Sequence, residues 1–239
     1  MSKENDLQLA GQISHLRPLG SLAEKVRPGH TALLVVDMQN DFCAPGGLVS
    51  QDGRDISAAE ALVKRLPAFI AEARAAGVLV VFVRCLYTTA ENFYLSDVWL
   101  EQAARKRKGG YTRIPVCREG SWEGDFSGDV RPEAGDPVVT KHRYSAFHNT
   151  DLDTILRANA IRTLVLTGVV SNVCVETTAR EGFVRDYYIV APADGAAAYV
   201  EADHLATMSN IDRFFGETTT TAEICACWQS QASQKANTA

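Results

Sequence analysis

Short, continuous apolar runs recur along this chain, and each hands over to a segment whose apolar residues return at helical spacing. The runs are ALLVV from Ala32, VLVVFV from Val78, PVVT from Pro137, LVLTGVV from Leu164 and YYIV from Tyr187; a weaker one, TTTT from Thr218, precedes the last helical stretch. Strands that are apolar on both sides have no face for water, so they belong inside a sheet covered above and below. Strands that alternate with helices pair in parallel, because the crossover helix returns the chain to the same edge. The order predicts an α/β fold: one Rossmann-like domain with a mainly parallel six-stranded sheet and helices on both faces. A chain of 239 residues, 46% of them hydrophobic, can bury a full core of this kind.

The connecting segments carry their own punctuation. SAAEALVKRLPAFIAEARAAG opens with a capping-box pair, Ser57 and Glu60, and stops at Gly77, while Pro67 inside it predicts a kink or an interruption. Thr150 and Asp151 are placed to cap DLDTILRANA, and EADHLATMSNIDRFF is a further helix. Between Tyr87 and Asp136 the pattern dissolves. Gly109, Gly110, Gly120, Gly124 and Gly128 stand there among aromatic and basic residues, which predicts a loop and lid. The expected domain spans 29–230, with an N-terminal extension at 1–28 and a polar C-terminal tail at 231–239 that frays.

Charge narrows the partners. A net charge of −5 with no basic stripe argues against nucleic acid. The longest apolar run, AAGVLVVFV, is far short of the roughly 20 residues a membrane helix needs. MSKENDLQLAGQ lacks the apolar core and small-residue cleavage site of a secretory leader, so a cytoplasmic location is expected. Cysteines at 43, 85, 117, 174, 225 and 227 show no paired spacing of a disulfide framework, which fits a reducing compartment. Cys225 and Cys227 are read as small apolar residues of the last helix.

In an open parallel sheet the ligand crevice lies outside the carboxyl ends of the strands. Three ionisable residues fall there: Asp37 after ALLVV, Lys141 after PVVT, and Cys174 in the first turn of the helix VCVETTAREGFVRDY. A helix N-terminus favours the thiolate, the nucleophilic form of cysteine. Together the three supply a base, a cation and a nucleophile. Each also has a bland reading: a buried thiol for Cys174, a turn cap for Asp37, a solvated cation for Lys141.

The segments VVDMQNDF from Val35, KHRYSAFHNTDLD from Lys141 and TGVVSNVCVETTAREG from Thr167, in this order and each beside a strand end, resemble the isochorismatase-like cysteine hydrolases. The resemblance runs from about Thr31 to Phe215, and KHRYSAFHNT with NVCVETTAREGF is most similar to the branch that hydrolyses ureidoacrylate, with biuret and triuret hydrolases as relatives; a biuret or triuret hydrolase or an N-carbamoyl amino acid amidase is the alternative activity. It implies catalysis by Asp37, Lys141 and Cys174 through a thioester, on a small amide or ureido substrate. It also implies a cis peptide between Val169 and Val170, and an oxyanion hole formed by the amides of Val170 and Cys174. Substrate contacts are expected from Gln39, Asn40, Phe42, Tyr87, Asn92 and Tyr144, each of which packing or capping would also explain. Arg143 either pairs a substrate carboxylate or points to solvent, and His142 and His148 flank the Lys141 loop.

No cofactor and no metal are expected. Metal-dependent nicotinamidases of the family place histidines after the second strand, where this chain reads RCLYTTAENFYLSD. DMQNDFCAPGG after the first strand lacks the glycine pattern that cradles a dinucleotide, which argues against an oxidoreductase. Retention of Cys174 argues against vinyl-ether hydrolysis of isochorismate, and the intact trio against a member that only binds ligand or protein. The family resemblance implies a homodimer or homotetramer.

Overall fold

The computed structural model describes residues 16–104 and 116–236. Of the features read from the sequence, the N-terminal segment MSKENDLQLAGQ, Gly109 and Gly110 and the last three residues of the tail lie outside this range.

Among the described residues seven parallel strands form one sheet: β1 Thr31–Val36, β2 Leu79–Cys85, β3 Val138–Lys141, β4 Thr163–Val169, β5 Tyr188–Pro192, β6 Ala196–Ala197 and β7 Glu217–Thr219. Their order is β3-β2-β1-β4-β5-β7, with β6 pairing β4 beyond the end of β5. The six expected strands are present; the seventh, β6, is two residues long and too short to leave a periodic signal. Every residue of β1 and of β4 is buried. The alternation of a strand then divides the core in two. Leu33 and Val35 join the cluster under helices Ser57–Ala76 and Thr221–Ala236, while Ala32, Leu34 and Val36 join the cluster under Leu152–Ala158 and Glu176–Val184. Both faces are covered, which is why these runs tolerate no polar alternation.

Four local expectations change. Helix Ser57–Ala76 is not interrupted at Pro67, which leaves of that expectation only a kink, and buried Leu62, Leu66, Phe69, Ile70 and Ala73 hold it along its length. Its first turn is not a capping box, because Ser57 is already helical. Asp55 Oδ1 accepts the Ser57 N–H instead, at 2.9 Å. Gly77 does end the helix, in the left-handed conformation that glycine adopts at little cost. The last helix continues through Ala236, into the segment read as a fraying tail. Its Trp228 indole donates to Val26 O at 2.8 Å, and Gln231 Nε2 donates to Ala23 O at the same distance, tying it to the turn before β1. In the excursion after β2, Asp97–Ala104 is helical rather than irregular.

Candidate active site

Asp37 is the first residue beyond β1, Lys141 the last of β3, and Cys174 lies five residues beyond β4. Strand order keeps β3 from touching β1, since β2 stands between them. Two inter-strand spacings are about 9 to 10 Å. Only a long side chain spans that gap, and Lys141 does: its Nζ lies 2.8 Å from Asp37 Oδ2 and 3.4 Å from Cys174 Sγ, and donates to Arg143 O at 3.1 Å. The three side chains therefore share one point.

That point is sealed. Asp37 and Cys174 are 1% exposed and Lys141 0%. Neither Asp37 oxygen has a hydrogen bond of good geometry, so Lys141 acts on the carboxylate mainly as a charge. Burial pushes the Asp37 carboxyl above the ordinary carboxylate range, with the Lys141 ammonium pulling it back down. Burial alone pulls the Lys141 ammonium down. The Asp37 carboxylate beside it reverses this, with the Cys174 sulfur adding to the rise whenever it is ionised, and the ammonium is held above the usual lysine range. For Cys174 burial again comes first and pushes the thiol well up, with Lys141 opposing and Asp37 adding to the rise. Burial and the Asp37 carboxylate thus favour the neutral thiol, against the thiolate that the helix end was expected to favour.

The turn that carries Cys174 has unusual backbone. The Val169–Val170 peptide is cis, as the resemblance implied. Ser171–Val175 form a π-helical turn, closed by the Val175 N–H on Val170 O at 3.3 Å, and this turn leads into helix Glu176–Val184. Gly168, at φ 108°, lies so close to β1 that a Cβ there would fall 2.0 Å from Val36 O.

Several expected substrate contacts prove to be structural. Gln39 is fully buried and its amide is spent on backbone: Nε2 donates to Cys85 O at 2.9 Å and Gly124 O at 2.8 Å, while Oε1 accepts from Cys85 N at 2.8 Å. Asn40 Nδ2 donates to Trp122 O at 2.8 Å. Asp41, not singled out in the sequence, accepts from Leu48 N at 2.9 Å and Cys117 N at 2.7 Å. These three side chains hold the segment from Cys117 to Gly124 against the end of β1. Phe42 is core, and Asn92 is an exposed turn residue at φ 54°. Tyr87 and Tyr144 flank Trp99, whose ring centroid lies 4.4 Å from the first and 5.3 Å from the second. Tyr144 is half-buried, with Cys174 and Lys141 both influencing its hydroxyl. Trp99 had no motif to announce it.

The Arg143 guanidinium donates to Tyr94 O at 3.0 Å and His142 O at 2.6 Å. His142 bonds Leu86 O at 2.6 Å and stacks on Tyr94, whereas His148 is exposed. Among the described residues no group of three or more His, Cys, Asp or Glu side chains is arranged to hold a metal ion, and no helix is long and apolar enough to cross a membrane.

An α/β sheet with a buried acid, ammonium and thiol at its carboxyl edge defines a cysteine-hydrolase type of site. The Isochorismatase domain model matches residues 31–223, and the chain belongs to that family. It is 36% identical over 208 residues to ureidoacrylate amidohydrolase RutB of Enterobacter sp. (strain 638), covering 83% of this chain and 89% of the relative. It is 38% identical over 198 residues to the protein of that name from Methylobacterium radiotolerans, covering 79% and 76%. The crystal structure of a cysteine hydrolase from Pseudomonas syringae pv. phaseolicola 1448A superposes with a TM-score of 0.74 at 31% identity, covering 86% of this chain and 95% of that one.

Proposed function

We propose that this protein is a cysteine-dependent amidohydrolase that cleaves a small ureido compound, with ureidoacrylate the preferred substrate. The observation that carries the reading is the single ammonium of Lys141 lying 2.8 Å from Asp37 and 3.4 Å from Cys174. Curated relatives named for ureidoacrylate at 36 and 38% identity point to the substrate.

In this mechanism Asp37 removes the Cys174 proton as sulfur attacks the carbamoyl carbon, forming the C–S bond and moving the carbonyl π electrons onto oxygen. The backbone amides of Val170 and Cys174 serve as the oxyanion hole, a device worth roughly 3 to 4 kcal/mol per donor removed. The tetrahedral intermediate collapses, the C–N bond breaks, and the amine leaves with the proton from Asp37. Water, deprotonated by Asp37, then cleaves the thioester and returns the thiol. Lys141 stays protonated throughout and balances the charge on carboxylate and sulfur. Because Cys174 is 1% exposed, the residues that cover it must move aside to admit substrate, and we assign that movement to Tyr144, whose hydroxyl feels Cys174 and Lys141, with its ring neighbour Trp99.

An ammonia-release screen across ureidoacrylate, biuret, triuret, N-carbamoyl amino acids, nicotinamide and aliphatic amides, with and without chelator, tests this. Ureidoacrylate is expected to turn over fastest, unaffected by chelator, and Cys174→Ala to abolish the reaction. Turnover that survives Cys174→Ala overturns the mechanism; chelator inhibition overturns the metal-free reading. We further propose a cytoplasmic homodimer or homotetramer. Six free cysteines and the exposed apolar residues Phe93 and Val98 support this, and light scattering on the purified protein checks the assembly.

A further inference from the structure

We propose that Thr178 is a positioning residue for this reaction, its hydroxyl fastening the Cys174 turn to the loop that follows Lys141. The inference rests on the reading that Cys174 and Lys141 act together. Thr178 is fully buried; its Oγ1 donates to Cys174 O at 2.7 Å and accepts from Ala146 N at 3.1 Å. The first bond alone is a common habit of helical threonines, which return a hydroxyl to the carbonyl one turn earlier. The second is not local.

It reaches five residues past Lys141, into a loop also held by Lys141 Nζ on Arg143 O and by Thr150 Oγ1 on Ala146 O at 2.5 Å. β3, which ends in Lys141, and β4, which leads to Cys174, are separated in the sheet by β2 and β1, so no strand pairing fixes one against the other. A hydroxyl that is donor to one segment and acceptor from the other sets their separation directly. The distance at stake is the 3.4 Å between Lys141 Nζ and Cys174 Sγ. Displacement of reacting groups on the order of 1 Å is enough to cost large factors in rate. Without the hydroxyl the buried Ala146 N–H also loses its acceptor, which favours movement of that loop.

Three variants test the role: Thr178→Val, which keeps the shape and loses the hydroxyl, Thr178→Ala, and Thr178→Ser, which restores it. Steady-state ammonia release from ureidoacrylate is measured beside the pH dependence of Cys174 alkylation by iodoacetamide, followed by peptide mass. Thr178→Val and Thr178→Ala are expected to lose about tenfold in kcat with KM little changed. Their alkylation midpoint is expected to move to higher pH as the Lys141 ammonium loses its fixed distance from sulfur, and Thr178→Ser to recover both. A purely structural role lowers the melting temperature and leaves that midpoint in place, which overturns the proposal. So does Thr178→Ser losing as much as Thr178→Val. If Thr178→Val does not fold, the contrast between Thr178→Ala and Thr178→Ser decides. Alkylation needs no substrate, so failure of the unmodified protein to release ammonia strikes the substrate reading separately.

Discussion

The ammonium of Lys141 lies 2.8 Å from the carboxylate of Asp37, although their strands never touch and both side chains are shut away from water. Breaking one half of such a pair leaves a buried charge uncompensated, at a cost of about 3 to 5 kcal/mol. Lys141→Met is expected to lower stability by that order and to abolish ammonia release. The double variant Asp37→Asn, Lys141→Met is expected to regain part of the stability and none of the activity. Urea denaturation beside an ammonia assay checks both; equal stability in the single and double variants would count against the coupling.

Activity should fall on the acid side as Asp37 takes up a proton and ceases to act as base. Burial places that carboxyl above the ordinary carboxylate range, so the acid limb of kcat/KM is expected to have its midpoint above about pH 4. Lys141 is held above the usual lysine range, so deprotonation of the ammonium produces no alkaline limb below about pH 10. A pH–rate profile measured where the protein stays folded tests the acid limb and the lack of an ammonium limb below that pH.

Gln39 belongs to the same motif as Asp37, yet its amide holds backbone. Gln39→Leu strands Cys85 N, Cys85 O and Gly124 O, and at roughly 1 to 2 kcal/mol each it should cost about 3 kcal/mol or more of stability. Thermal melting is expected to fall by about 6 °C or more. A variant that melts normally and shows only a raised KM would return Gln39 to the substrate.

Gly168 admits no side chain. A Cβ would stand 2.0 Å from Val36 O on β1, and φ of 108° disfavours any other residue. Gly168→Ala is expected to destabilise by more than about 3 kcal/mol, because overlap with backbone cannot be relieved by a rotamer. Chemical denaturation measures it, and a near-normal midpoint would contradict the geometry.

How much of this was legible in the sequence follows from what kind of signal each feature leaves. Strands buried on both faces write continuous apolar runs, so β1, β2, β4 and β5 are visible, whereas β6 is two residues that pair beyond the end of β5. Asp37, Lys141 and Cys174 are visible because a charged or nucleophilic residue at a strand's carboxyl end stands out against its run. Gln39 and Asn40 mislead for the same reason: a polar side chain beside the site looks available. Their partners, the carbonyls of Gly124 and Trp122, lie more than 80 positions away and carry no residue-type signature. Thr178 is hidden in a helix where a threonine is unremarked until its second bond is seen.

The excursion between β2 and β3 contributes none of the reacting trio, yet its Trp99 sits beside Tyr144 near them. If the proposed roles hold, the excursion can be exchanged for another to change which substrate is admitted, while the strand ends that carry Asp37, Lys141 and Cys174 stay as they are.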